Sequence, residues 1–172
     1  LWRTDTMDAP QRWKARELVA LAYLLEADDQ RRAGNGAQAV ETLQRALDLG
    51  GELVDVLYAL AEYYERERDF ENARQIYEKI KTRAPLSWRP YKALGALYVK
   101  VEQYGPALEE MQQALLMGAA TPGLYNNLAV ASINVGDLDR GVAYLRQAVE
   151  MAPERVDIWY NLGMVLHGAG RR

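Results

Sequence analysis

The chain has 172 residues, and the 49% of them that are hydrophobic are enough to bury a continuous core. Its formal net charge of -3 argues against a general nucleic-acid binder, because such proteins carry a basic face that pairs with phosphate. The absence of cysteine excludes disulfides, thiolate catalysis and cysteine-rich zinc sites. No apolar run reaches the ~18 residues that predict a membrane-spanning helix. We therefore expect protein partners and no nucleic acid.

Glycine and proline clusters divide the chain into pieces of helix length. Between the clusters, apolar residues recur at steps of three and four, as in LYALAEYY at 57–64 and VAYLRQAVEM at 142–151. Strand-like alternation is absent from the sequence. The pattern predicts an all-α chain of short paired helices, divided at 34–36, 50–51, 84–85, 104–106, 118–123, 136–137, 152–153 and 168–170.

Several predicted helix starts have chemical support. The stretch DAP at residues 8–10 is typical of a helix start. We therefore expect the first helix to begin roughly ten residues before residue 20, and residues 1–8 to form a tail. Thr121 followed by Pro122 predicts an N-cap and a proline in the first turn, where no amide hydrogen is needed. Asn35 and Asp137 stand where the second helix of a pair needs a capping side chain.

Two nearly identical words stand 34 residues apart, LYNNLA at 124–129 and IWYNLG at 158–163. The same step of 34 residues gives units that begin at 20, 54, 88, 122 and 156. The eighth and twentieth positions of these units are always small, as two antiparallel helices require where they cross closely. These residues are Ala27, Ala61, Gly95, Ala129 and Gly163 at the eighth position, and Ala39, Ala73, Ala107 and Gly141 at the twentieth.

A 34-residue unit with this pattern resembles the tetratricopeptide repeat, a helix-turn-helix with characteristic Trp, Leu, Gly, Tyr, Phe, Ala and Pro positions. The matching residues are Leu60, Tyr64, Phe70, Ala73, Tyr77 and Pro85 in the second unit, Tyr91, Leu94, Gly95, Tyr98, Tyr104, Ala107 and Ala114 in the third, Tyr125, Leu128, Ala129, Ala148 and Pro153 in the fourth, and Trp159, Leu162 and Gly163 in the fifth. The first unit matches through Ala27, Gly34, Ala39, Leu43 and Ala46.

The resemblance implies an all-α fold, an α-α superhelix built as a solenoid of antiparallel helix pairs. It places an N-terminal tail and helical extension at 1–19 and a repeat array at 20–172. The repeats are 20–53, 54–87, 88–121, 122–155 and the incomplete 156–172.

The fifth repeat has only its first helix, and Leu162, Val165 and Leu166 are expected to face the position of an absent second helix. GAG at 168–170 repeats the turn signal that leads into a second helix. We therefore expect the chain to be a piece of a longer array. A hydrophobic end covered by another copy is the alternative, with self-association through exposed ends of the array.

Residues that could carry chemistry do not converge in the sequence. His167 is the only histidine, so no metal cluster of ordinary spacing forms around it. Ser132 lies in mid-helix and outside any G-x-S-x-G turn, and the adjacent Glu109 and Glu110 point apart on a helix. We expect no enzymatic activity, no cofactor and no metal.

Resemblance to the family implies that the first helix of each repeat lines a concave groove that binds a partner protein or peptide. The groove positions predicted from the repeat register are acidic in the second repeat, basic in the third and rich in amides in the fourth and fifth. They are Asp55, Tyr58, Glu62, Arg89, Lys92, Asn126, Asn127, Asn134, Asp157, Tyr160 and Asn161.

The first repeat differs, because an apolar patch of Leu21, Leu24 and Leu25 lies near the groove. This patch could take a partner helix. Equally, Leu1 and Trp2 of the same chain could cover it.

Asn127 and Asn161 share the sixth position of neighbouring repeats. A side-chain amide both donates and accepts, so two such residues can hold the backbone of an extended peptide without reading its sequence. Family members that grip the C-terminal carboxylate of a chaperone use a clamp of Lys, Asn and basic residues from three repeats. Lys92 and Asn127 fit that clamp, but Ala96, Asp157 and Asn161 replace its other members, so we expect it to be absent.

The sequence therefore predicts a non-enzymatic scaffold or adaptor that binds a partner protein or peptide within a multicomponent assembly. An excess of arginine over lysine, with abundant alanine and glycine, favours a bacterial source. Two settings stay open, a cytoplasmic adaptor and the periplasmic arm of an exopolysaccharide export or secretion machine that recruits an enzyme. Two rival roles are a self-associating structural array and carbohydrate binding through Tyr58, Trp88 and Tyr160.

Overall fold

The computed structural model describes residues 9–48, 54–168 and 170, and every regular element in this part of the chain is an α-helix. The helices are α1 (Ala9–Arg32), α2 (Gly36–Asp48), α3 (Val54–Arg66), α4 (Phe70–Arg83), α5 (Trp88–Lys100), α6 (Tyr104–Leu116), α7 (Pro122–Asn134), α8 (Leu138–Met151) and α9 (Val156–Gly168). None of these helices is long and apolar enough to cross a bilayer. The predicted tail at 1–8, with Leu1 and Trp2, lies outside the described residues.

The helices form two compact units that divide between Arg83 and Ala84. In the first unit, α1 packs against α2 and α3 against α4, and α2 also contacts α3. In the second unit, α5 pairs with α6 and α7 with α8, while α6 contacts α7 and α8 contacts α9. Helices α3, α5, α7 and α9 begin at residues 54, 88, 122 and 156, so their starts recur at the 34-residue step of the sequence.

Small residues let the two helices of a pair approach closely. A Cβ added to Gly95 on α5 would stand 2.3 Å from Cγ of Met111 and 3.3 Å from the carbonyl oxygen of Ala107 on α6. A Cβ added to Gly141 on α8 would stand 2.4 Å from Cγ1 of Ile133 on α7. Eight of the nine small residues predicted at the crossings are buried: Ala27, Ala39, Ala61, Ala73, Gly95, Ala107, Ala129 and Gly141. Gly163 on α9 is exposed.

The turn inside each pair has one recurring backbone geometry. Residues 34, 68, 102 and 136 all have positive φ, at 82°, 59°, 60° and 91°. The amide that follows donates to a carbonyl five residues back, as from Asn35 to Gln30 at 2.9 Å, which is the bond of a Schellman turn. Glycine adopts this left-handed conformation at little cost, whereas Arg68 and Glu102 adopt it with a side chain.

Both predicted caps of the second unit are confirmed. The hydroxyl of Thr121 accepts the N–H of Leu124 at 3.2 Å, with Pro122 in the first turn of α7. The carboxylate of Asp137 accepts the N–H of Arg140 at 3.1 Å at the start of α8. These bonds satisfy amide hydrogens that a helix start leaves without an intrahelical partner.

The exposed face of α9 is not the face with Leu162, Val165 and Leu166 that the sequence predicted. Leu162 is only 7% exposed and belongs to a buried cluster with residues of α7 and α8, against which Val165 and Leu166 also pack. The expectation that these side chains face an empty position is wrong for Leu162, because residues of α7 and α8 cover it, while Val165 and Leu166 are half-buried. The exposed face carries Val156, Trp159, Tyr160, Gly163 and Met164 instead.

Glycine in place of Arg68 or Glu102 is expected to stabilise the protein. Each change removes a Cβ that the left-handed backbone disfavours by about 1–2 kcal/mol, offset partly by the greater freedom of glycine in the unfolded chain. We expect Arg68→Gly and Glu102→Gly each to raise the free energy of unfolding by about 0.5–1 kcal/mol, measured by urea denaturation. Gly136→Ala is the reverse control and should lower it, and a loss of stability in Glu102→Gly would contradict strain at this turn.

Candidate functional site

Two predicted amide residues of the second unit are bonded to each other across neighbouring repeats. Nδ2 of Asn161 on α9 donates to Oδ1 of Asn126 on α7 at 2.9 Å, and the bond is partly buried. Each asparagine carries an acceptor oxygen and two donor hydrogens. The bond therefore leaves the oxygen of Asn161 and the nitrogen of Asn126 able to contact a ligand.

Asn127, the next residue on α7, is half-buried and makes no side-chain hydrogen bond to any residue that the structure describes. The sequence paired Asn127 with Asn161 through their shared repeat position, whereas Asn161 bonds to Asn126. Asn127 adds a further donor and acceptor beside the bonded pair. We call these three residues, Asn126, Asn127 and Asn161, the amide surface.

Positive charge lies on α5, which contacts α7. The Nζ of Lys92 stands 5.6 Å from the centroid of the Trp88 ring, within the range of a cation–π contact. Lys92 is half-buried and Arg89 is exposed in the first turn. The helix beside α7 therefore offers two cations, one of them held over an aromatic ring.

Of the other predicted residues of the second unit, Asn134 bonds to its own helix, Asp157 bonds to the residue just before its helix, and Tyr160 is exposed to solvent. Asn134 donates its Nδ2 to the carbonyl oxygen of Val130 at 2.8 Å. Asp157 accepts a bond from Nε of Arg155 at 3.1 Å, and this bond is the main reason that the pKa of the Asp157 carboxyl is lowered. Tyr160 is 65% exposed, so its side chain stays available for contact next to Asn161.

In the first unit, α1, α2 and α3 line an open cavity of about 340 Å³, which we call the α1–α3 pocket. Its apolar lining is Leu24, Leu25, Ala27, Ala39, Leu43 and Ala59, and its polar lining is Asp28, Arg31, Glu62, Tyr63 and Arg66. The structure thus brings two leucines of the predicted apolar patch together with Glu62. Leu21 is 40% exposed and is not part of the lining.

Some of the charged side chains that line the α1–α3 pocket form salt bridges and others do not. Asp28 accepts a bond from Nε of Arg31 at 3.0 Å and lies 2.6 Å from a guanidinium nitrogen of Arg32. The bond from Arg31 is the main cause that lowers the pKa of the Asp28 carboxyl. Glu62 and Arg66 on α3 make no hydrogen bond or salt bridge within the described part of the chain. The charge of Arg66 nevertheless contributes to the lowered pKa of the Asp28 carboxyl.

Asp55 and Tyr58, the remaining predicted residues of the first unit, are not in the pocket lining. Tyr58 is half-buried, with its ring centroid 6.1 Å from that of Tyr77. The buried Tyr77 donates its hydroxyl to Glu65 at 2.6 Å, and its burial raises the pKa of the Tyr77 phenol. The ring of Tyr58 thus packs between α3 and α4, which argues against its use as a sugar platform. Asp55 is exposed in the first turn of α3.

No catalytic constellation stands out in the part of the chain that the structure describes. Among residues 9–48, 54–168 and 170, no three His, Cys, Asp or Glu side chains are grouped as metal ligands. Ser132 is fully buried in α7, and His167 is exposed near the end of α9.

Sequence reasoning missed most of the pocket. It did not select Asp28, Arg31, Ala59 or Arg66. The signal that the sequence offers is Ala59, because the sixth repeat position is alanine in the second and third repeats and asparagine in the fourth and fifth. A small side chain at a position that faces the neighbouring repeat leaves space unfilled.

Loss of the Asn126–Asn161 bond is expected to weaken the contact between α7 and α9. Asn126→Ala and Asn161→Ala should each lower the free energy of unfolding by about 1 kcal/mol, the typical net value of such a bond. A double-mutant cycle followed by urea denaturation should give a coupling of about 0.5–1.5 kcal/mol. The control cycle of Asn127→Ala with Asn161→Ala should show almost none, and equal coupling in both cycles would rule out a specific bond.

Comparison with known proteins agrees with this architecture. A family model described as tetratricopeptide repeat matches residues 24–87 and 127–171, which is more than half of the chain. BBSome complex member BBS4 of Mus musculus is 24% identical over 148 residues, covering 86% of this chain and 28% of that protein. Protein O-mannosyl-transferase TMTC1 of Mus musculus is 27% identical over 104 residues, covering 58% of this chain and 11% of that protein. The chain thus spans less than a third of the length of either relative.

Solved structures of similar fold cover most of the chain. MamA of Desulfovibrio magneticus RS-1 superimposes with a TM-score of 0.80 at 20% identity, covering 88% of this chain and 85% of that one. PilF of Pseudomonas aeruginosa superimposes with a TM-score of 0.78 at 18% identity, covering 90% and 71%. At these identities the likeness shows the fold alone, and it confirms the predicted all-α class of the α-α superhelix. With the match of the family model, it follows that the chain belongs to the tetratricopeptide repeat family.

Proposed function

We propose that this chain is a non-enzymatic scaffold whose second unit binds an extended segment of a partner protein at the amide surface. The observation that carries the proposal is the bond between Asn161 and Asn126. It fixes two side-chain amides from neighbouring repeats in a defined orientation, with an acceptor and a donor left over. An extended backbone presents carbonyl and amide groups in alternation, so it matches such a surface without requiring one sequence.

The basic residues beside the amide surface add a preference for charge. Lys92 is held over Trp88 and lies on the helix that contacts α7. An ammonium group that is already positioned loses less side-chain freedom when it pairs with a carboxylate. We therefore expect the bound segment to carry an acidic side chain or a chain terminus at the end that contacts α5.

Membership of the family supports a role in protein–protein interaction, and BBS4 is by its name a member of a complex. Function is nevertheless decided by the site and not by the fold. The setting we propose is a multicomponent assembly. The more specific alternative is the periplasmic arm of a bacterial exopolysaccharide export or secretion machine that recruits an enzyme.

Capture from a lysate of the source organism tests the amide surface. The chain is immobilised beside a variant that carries Lys92→Ala, Asn127→Ala and Asn161→Ala, and bound proteins are identified by mass spectrometry. A partner bound by the native chain should be reduced about ten-fold or more in the variant, since each lost charged or neutral hydrogen bond contributes about 0.5–3 kcal/mol.

The matched control is Gln147→Ala, which removes an exposed amide from α8 of the same unit and should leave capture unchanged. A partner retained equally by the triple variant would move the interface away from the amide surface. Circular dichroism of each variant establishes that the fold is intact.

A second candidate role, self-association into a structural array, is favoured by the exposed face of α9. Val156 is 78% exposed and Met164 is 55% exposed on this face, and apolar patches of this kind are typical of interfaces. Light scattering at several concentrations tests it. Self-association requires an apparent mass that rises with concentration and falls to the monomer value in Val156→Lys with Met164→Lys, whereas a binding scaffold predicts a monomer throughout.

A further inference from the structure

We propose that Asn35, in the turn between α1 and α2, is a site of spontaneous deamidation that converts its carboxamide into a carboxylate. Asparagine is a thermolabile residue, and Asn35 is the only asparagine of the sequence that precedes a glycine, Gly36. Its side chain is exposed to solvent. The modification needs no enzyme, since water is its only co-reactant, and it is independent of the proposed function of the second unit.

The carboxamide of Asn35 lacks the hydrogen bond that holds the equivalent residue of two other repeats. Asp69 and Asp137 stand one and three repeats further along the chain, and their carboxylates accept the N–H of Asn72 at 3.2 Å and of Arg140 at 3.1 Å. Asn35 makes no side-chain hydrogen bond within the described part of the chain. The cap that the sequence predicts at Asn35 is therefore not formed, and no bond has to break before the carboxamide reacts.

The nucleophile of the reaction is the backbone nitrogen of Gly36. Its N–H donates to none of the residues that the structure describes, as expected for the first residue of a helix. Glycine carries no Cβ that would hinder ring closure. A Cβ at residue 36 would stand 3.1 Å from Cε2 of Tyr63, so packing against α3 favours glycine after Asn35. The packing of this turn thus maintains the reactive pair.

The reaction passes through a cyclic imide. The nitrogen of Gly36 loses its proton and bonds to Cγ of Asn35, and the side-chain nitrogen leaves as ammonia. The rotation that this needs opens the first bond of α2, from the N–H of Ala39 to the carbonyl oxygen of Asn35, and helix ends fray readily. Water then adds to the imide. Breaking the Cγ–N bond gives aspartate, whereas breaking the original peptide bond gives isoaspartate, in which the main chain runs through the side chain.

The two products are expected to act on α2 in opposite ways. Aspartate at residue 35 is the residue type found at 69 and 137, and its carboxylate is able to accept the N–H of Gln38, three residues on. Negative charge at a helix start is favourable. Isoaspartate adds a carbon to the main chain between the bond from Asn35 to Gln30 and the bond from Ala39 to Asn35, so both bonds cannot keep their native geometry.

The test incubates the full chain in neutral buffer over several weeks and follows two tryptic peptides by liquid chromatography and mass spectrometry. Peptide 33–45 contains Asn35, and peptide 69–74 contains Asn72, an exposed asparagine that donates its Nδ2 to Asp69 at 2.7 Å and precedes Ala73. A gain of about 1 Da should accumulate in peptide 33–45 as two products that separate in chromatography. A digest at zero time corrects for deamidation during digestion.

The reaction at Asn35 should be about ten-fold or more faster than at Asn72, because Asn72 must first break its hydrogen bond and move against the Cβ of Ala73. Gly36→Ala should slow the reaction at Asn35, whereas Asn35→Ser removes the carboxamide and should abolish the mass gain of peptide 33–45. Asn35→Asp imitates one product and should raise the Tm by about 1–3 °C, the shift expected for a charge at a helix start.

The inference is overturned if peptide 33–45 gains mass no faster than peptide 69–74, a comparison that needs no variant. A native rate in Gly36→Ala would contradict attack by the nitrogen of residue 36. A Tm lowered by Asn35→Asp would contradict the gain of a charged cap. Capture of a partner by the amide surface should be the same in Asn35→Asp as in the native chain, so failure of this inference leaves the proposed function untouched.

Discussion

The close approach of two helices at small residues is the constraint on which the rest of the structure depends. In the second unit, Gly95 leaves room for the side chain of Met111, and Gly141 leaves room for Ile133. A larger side chain at either glycine would force the helices apart, because protein interiors have few voids to absorb it. With the contact fixed inside each pair, the remaining face of the first helix can differ from repeat to repeat while the paired packing is kept.

One repeat position shows how that freedom is used. The sixth position is Ala59 on α3, Ala93 on α5, Asn127 on α7 and Asn161 on α9. Where it is Ala59, the short side chain contributes to a cavity between repeats. Where it is Asn161, the side chain reaches the neighbouring repeat and bonds to Asn126. The same register position thus borders a cavity in one repeat and carries a hydrogen-bonding side chain in another.

The helix pairs were predictable because their signal is local and periodic. Small residues at a 34-residue step, Thr121 before Pro122, and Asp137 at a helix start each act within a few residues of the backbone that they affect. The Asn126–Asn161 bond was not predictable from shared positions, because it joins the fifth position of one repeat to the sixth of the next.

The α1–α3 pocket and the packing of α9 were missed for a related reason. The cavity lies between three helices, so it can be located only when the relative positions of those helices are known. Leu162 was assigned to an open face by counting positions within one helix, whereas contact with α8 decides its burial. Periodicity locates a helix more securely than it identifies which neighbour each face meets.

The turn at residues 34, 68, 102 and 136 makes the hairpins of this chain interchangeable parts. Because each pair reverses direction through the same backbone conformation, a hairpin can carry its surface residues to another place in the array without altering the path of the chain. Grafting the exposed residues of α7 onto α3 would then move that surface to another repeat while leaving the supporting contacts in place. Duplication and recombination of genes act on units of this kind, so the geometry of one short turn makes the surface modular in evolution and in engineering.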